Sequence, residues 1–189
     1  MDANLYARWI PIRTGQRQQN AILFLPCIRD NAGIYLLSPE KQSWHVTDWE
    51  RPDCHYDMSV FVEIASIRNP AIDEVLVHHA GAGHGAGISV QDFNVFAASR
   101  GELKLELDTE EVVKLNRPSL GPKDRYDLLQ RSTFVLVPVS RSISRVVEET
   151  RSSTLNDTLA VKRREFRWSA PKGRYLPSKL FTVSAAPKS

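Results

Sequence analysis

Cysteines and long hydrophobic runs are both scarce in this sequence, and each scarcity excludes something. Two cysteines in 189 residues cannot build the disulfide lattice that small secreted scaffolds depend on. A chain of this length buries well over half of its unfolded surface without such staples. No run approaches the roughly 18 apolar residues of a membrane-spanning helix. No low-complexity tract marks disorder either: hydrophobic residues make up 42% and charged residues 25%, as in ordinary globular domains. Two enzyme signatures are missing as well. There is no G-x-S-x-G nucleophile elbow and no zincin helix.

Helical periodicity is also in short supply, and two-residue alternation stands in its place. Ala21–Ile28 and Gly33–Ser38 flank the turn-rich Arg29–Ala32 and read as a hairpin, with Ser43–Asp48 as a third strand. In Met58–Ile67, Val60, Val62 and Ile64 fall on one face and Phe61, Glu63 and Ala65 on the other. Glu74–His79 and Ile88–Ala97 follow, and Ser99-Arg100-Gly101 turns the chain into Glu102–Asp108. There Leu103, Leu105 and Leu107 are expected to face inward, with Glu102, Lys104 and Glu106 outward. Lys123–Arg131 reads as a short helix. Thr133–Val139, Ile143–Glu149, Thr158–Trp168 and Arg174–Val183 complete the strands.

These elements imply one all-β domain over residues 1–189 with a frayed end at 185–189. About a dozen strands form an antiparallel sandwich, barrel or propeller-like meander, with at most one or two short helices. Trp9, Trp44, Trp49 and Trp168 read as core or edge anchors.

Charge is unevenly spread. Residues 160–189 carry eight basic residues against Glu165, a net +7; the whole chain is +3, so the preceding part is −4. A basic end can meet nucleic acid or an acidic protein face. It can also cover acidic patches of its own domain. In Lys162–Trp168, Arg163, Arg164 and Arg167 interleaved with Phe166 and Trp168 could hold phosphates while rings stack bases. On a strand, however, Phe166 and Trp168 share a face and would help close a core.

The stretch from His78 to Gly87 concentrates the remaining chemistry. Gly81-x-Gly83-x-x-Ala86 fits a dinucleotide fingerprint in form, but that fingerprint works only where the turn opens a helix. Ile88–Phe96 has a strand pattern, so a strand-to-strand loop is the plainer reading. His78, His79 and His84 are candidate metal ligands, with Asp92, His45 or His55 to complete a site. Adjacent strand residues point to opposite faces, so His78 and His79 would not share one ion. A zinc site needs three or four converging ligands, and solvated histidines are the alternative. No cofactor other than zinc has candidates. Cys27 and Cys54 could pair, lie buried as thiols, or serve in a nucleophile–base couple with His45 or His55; their even number decides nothing.

Ile67–Val77, Gly81–Gly87, Phe93–Phe96 and Gly101–Leu103 follow one another as a strand with a turn, a glycine loop, an aromatic strand and a hairpin. In this order Val60–Asp108 resembles a repeat unit of exported bacterial β-proteins related to the FG-GAP or VCBS-type propeller repeats. Arg163–Trp168 with Gly173–Pro177 resembles the closing hairpin of similar lipoproteins. The family's calcium turn has closely spaced aspartates with glycine, whereas this chain has Arg68-Asn69-Pro70-Ala71-Ile72-Asp73, so calcium is not carried over. The resemblance implies an exported β-architecture used for interaction, and with export a Cys27–Cys54 disulfide.

The expectation is therefore a non-catalytic binding or structural β-domain of the bacterial periplasm or cell surface, its leader absent from this sequence, engaging a protein or envelope partner. Its contact residues are expected to be His79, Gly83, His84, Arg163, Arg164, Arg167 and Trp168. The alternatives are a metal-dependent enzyme using His78 or His79 with His84, and a nucleic-acid binder using the basic hairpin.

Overall fold

The computed structural model describes residues 7–15, 19–26, 33–51, 59–80, 88–116, 128–153, 160–179 and 181–183. The Gly81–Gly87 loop, His84, Cys27 and Cys54 lie outside the described residues, so the disulfide and the glycine-loop readings do too.

The structure is all-β, and no helix occurs among the described residues. Strands β1 (Arg8–Ile12), β2 (Asn20–Leu25), β3 (Gly33–Glu40) and β4 (Ser43–Glu50) form a four-stranded antiparallel sheet in chain order. The next four are β5 (Ser59–Ala65), β6 (Glu74–Ala80), β7 (Ile88–Ser99) and β8 (Glu102–Asn116). Then come β9 (Leu128–Ser140), β10 (Ile143–Ser153), β11 (Ala160–Ser169), β12 (Arg174–Pro177) and β13 (Phe181–Val183). All nine belong to one ladder, again in chain order, with β13 beside β12 on the far side of β11. That ladder narrows at one point. β8 and β9 pair only through Val113–Asn116 and Leu128–Arg131, and below this hinge the two halves fold onto each other.

Three layers result, and the alternation of β6 shows why. Val75 and Val77 face the first sheet, joining Ile22, Phe24, Ile34, Leu36, Val60, Val62 and Phe96. Leu76 faces the other way, joining Phe93, Val95, Leu107, Phe134, Val146 and Phe166. The middle sheet is thus apolar on both faces, as a sheet covered on both sides must be. Phe93 stacks on Phe134 across the second core, with ring centroids 4.5 Å apart.

Polar contacts set the layers against each other. Arg13, just past β1, gives its backbone N–H and its guanidinium to the Asp73 carboxylate at 2.6–3.1 Å. At the opposite corner, the Leu103 N–H donates to Asp48 at 2.6 Å. The β7–β8 hairpin turns through Arg100 and Gly101, both with positive φ (54° and 84°). That is the type I′ geometry that suits two twisted strands.

Three expectations need correction. Leu128–Arg131 belong to β9 and not to a helix, because they pair with the long β8; residues 123–127 lie outside the described residues. Arg174–Val183 is two strands, with β12 and β13 pairing different parts of β11. The alternation of β8 also breaks. Opposite Val95 and Phe96 the register slips, leaving Glu106 as the extra residue. Glu106 therefore turns inward (4% exposed), and Leu105 turns outward (43%). Such a bulge re-aims side chains in this way.

Candidate functional site

The residues picked from sequence are dispersed. The His78 ring packs between Phe61 and Phe93 on the middle sheet, at 5.8 and 4.7 Å. His79 pairs with Val60 in the adjacent row of the ladder, and Gly83 and His84 lie outside the described residues. Among the described residues, no three His, Cys, Asp or Glu side chains are grouped as metal ligands. Where the dinucleotide fingerprint needs a helix, Ile88–Ser99 is a strand.

Arg163, Arg164 and Arg167 of the basic hairpin are paired from within the sheet. On the outer face of the third sheet, Arg163 and Arg151 hold Glu149, while Arg167 and Arg145 hold Glu165. Burial alone would push the Glu149 carboxyl up, but the two arginines outweigh it and hold it below the usual range. Arg164 lies on the other face, its Nε 3.7 Å from Glu148. Each of these arginines already faces a carboxylate, so none stands as an unpaired cation for a phosphate backbone. Trp168 is half-buried; the Arg68 guanidinium lies 4.2 Å over its ring, and Tyr175 packs edge-on at 5.4 Å.

Two other places emerge. The first is the outer face of the first sheet. Trp9, Leu23, Tyr35 and Trp49 occupy one cross-strand row, and Pro11, Ala21, Leu37 and Val46 a parallel one. A bulge at Thr47 keeps Trp44, Val46 and Trp49 all on this face. Neither row contains a charge. Trp9, Trp44, Val46 and Trp49 are 42–53% exposed. Trp9 meets Trp44 edge-on (4.7 Å, 84°), and Tyr35 stacks on Trp49 (6.3 Å). The edge-anchor reading holds for these tryptophans, since β1 and β4 are the sheet's edges.

The second is a groove of about 530 Å³ between β8 and β12, floored by β10 and β11. Glu106 and Tyr175 line it, and both side chains belong to a buried polar cluster. Within that cluster Arg68 donates to Glu74 at 2.8 Å and pairs with Glu106 at 3.0 Å. Glu74, fully buried, also accepts the Ile67 N–H. Burial raises the Glu106 carboxyl to about 7, with Arg68 opposing and Glu74 adding to the rise. Burial likewise pushes the Tyr175 phenol up. No sequence signal marked Glu106, because its inward turn depends on a bulge. Tyr175 was hidden in a hairpin taken as one strand. Compared with family models, curated proteins and solved structures, the chain has no match.

Proposed function

We propose that this chain is a non-catalytic binding domain of the bacterial periplasm or cell surface, and that it holds a protein partner on the outer face of its first sheet. One observation carries this reading: three tryptophans and a valine are about half exposed on a face whose paired rows contain no charge. Exposed apolar patches of this kind mark interaction sites. Aromatic enrichment with charge depletion is the signature of interface centres. The two rows themselves hold no cation, which favours a protein over nucleic acid or an anionic lipid surface, both of which need cations. The perpendicular Trp9–Trp44 pair offers clefts for inserted side chains, not one flat stacking plane. Export rests on the family resemblance.

A concrete test starts from crosslinking in envelope extracts of the source cell. The captured protein is purified and titrated against the parent and against Trp44→Ser/Trp49→Ser. Hot-spot tryptophans contribute about 2 kcal/mol or more each, so at least a thirtyfold loss is expected. Equal affinities would end the assignment of this face. Loss of a concentration-dependent dimer on the same substitution would make the partner a second copy.

A further inference from the structure

Trp9 and Trp44 stand on opposite edges of the first sheet, on β1 and β4, yet their ring centroids are 4.7 Å apart. Both indoles therefore lean inward and meet above β2 and β3, where Ala21 and Leu37 are buried. Tyr35 and Trp49 form a second ring pair on the same face. By register, Leu23 and the half-exposed Val46 lie between the two pairs. The face thus has aromatic walls and an aliphatic floor, not a single plane of rings.

Hydrogen bonding and charge narrow what fits there. An indole N–H donates and cannot accept. Among the described residues, none accepts from the indoles of Trp9, Trp44 or Trp49. Apart from the Tyr35 hydroxyl, the two rows hold no side-chain acceptor and no charge. The complementary ligand is uncharged, offers carbonyls and brings few donors. An α-helix uses its carbonyls internally, and an added β-strand pairs at a sheet edge, not on its face. A sugar brings many hydroxyl donors, which would find no acceptors. A polyproline II segment meets each condition: its carbonyls are free, proline has no N–H, and its rings pack against aromatic walls. It also arrives already extended, so little chain entropy is lost on binding.

We propose that the outer face of the first sheet binds an uncharged, proline-rich segment of its partner protein in the polyproline II conformation, with indole N–H groups donating to the carbonyls of that segment. This assignment rests on the face being a protein-binding surface, as proposed above.

The probe is acetylated, amidated decaproline, with a Gly/Ser peptide of equal length and cellohexaose as controls. Each is titrated into the isotope-labelled full chain up to about 1 mM, about tenfold above a 0.1 mM affinity. Decaproline is expected to move the indole N–H signals of Trp9, Trp44 and Trp49. The Trp168 signal, beside the second core, should stay in place, and the Gly/Ser peptide should shift nothing. Trp44→Phe keeps a ring but removes a donor, and should bind decaproline about fivefold more weakly. Trp9→Phe makes the same test if that variant fails to fold. Unchanged affinity in these variants would overturn the proposal. So would an equal response to the Gly/Ser peptide, or a response to cellohexaose alone. The captured envelope protein, titrated in the same way, separates the two levels of assignment. If it moves the three indole signals and decaproline does not, the polyproline assignment falls and the face remains a binding surface. If neither moves them, both fall.

Discussion

Replacing Glu106 by glutamine removes a titrating proton from the interior while keeping the shape of the side chain. In the folded protein burial raises this carboxyl from 4.5 to about 7, with Glu74 adding to the rise and Arg68 opposing it. The folded-state value lies above the unfolded one, so the folded chain holds an extra proton between them. The cost of the buried charge is therefore full above about pH 7 and is relieved as the pH falls toward 4.5. At about 1.4 kcal/mol per unit, the shift corresponds to about 3 kcal/mol, of which about 2 kcal/mol falls between pH 8 and pH 5. Glutamine still accepts from Arg68 and carries no charge at either pH. Urea denaturation of parent and Glu106→Gln at both pH values isolates the effect, because every other titrating group cancels in the difference. The stability of the variant relative to the parent should drop by about 2 kcal/mol on going from pH 8 to pH 5. A difference that is the same at both values would mean that Glu106 titrates as an exposed carboxylate, and the reasoning from burial would fail.

Other outcomes follow from the same geometry. Burial would raise the Asp73 carboxyl, but hydrogen bonds from Arg13 and Ser66 hold it below its ordinary value. Its stabilising contribution is thus complete above about pH 4 and lost as the pH falls further. Asp73→Ala should cost about 1–3 kcal/mol at neutral pH and flatten that acid limb, both readable by urea denaturation. Phe93→Ala opens a cavity against Phe134 and should cost about 3–5 kcal/mol in the same assay. Gly101→Ala forces a side chain into φ +84° and should cost about 1 kcal/mol, seen as a lower thermal midpoint.

Much of the fold was legible because burial alternates along its strands. Val60, Val62 and Ile64 read as one face of a strand and do enter the first core or pack against it. Asn69-Pro70 correctly ended a strand, since β5 stops at Ala65 and β6 begins at Glu74. β1 was missed: Arg8–Ile12 is short and contains Pro11, which an edge strand tolerates. The start of β9 was misread because Leu128-Leu129 has no alternation, and its conformation is set by pairing with distant Leu115 and Asn116. The groove was illegible for a related reason. Arg68, Glu74, Glu106 and Tyr175 come from separate segments, and one inserted residue decides that Glu106 faces in. A bulge leaves no trace in the hydrophobic pattern of a single strand. That the basic hairpin covers acidic groups of its own domain was one of two readings left open, because charge counting cannot see that Glu149 stands across the ladder from Arg163.

The two outer surfaces of the three-layer stack are unlike, and that gives the stack a direction. Stacked architectures need a polar outer surface where they terminate, or they keep adding units. At the third sheet the arginine–glutamate lattice of β10 and β11 lies beside the exposed Val135 and Val137 of β9, and any further layer over β10 and β11 would have to strip water from four ion pairs. The two described rows of the first sheet hold no such lattice, and tryptophan meets solvent there. Addition of a further layer is therefore opposed over β10 and β11 and permitted at the first sheet. The partner proposed for this face would act as the missing terminus, closing the molecule in the way that Glu149 and Glu165 close the opposite side.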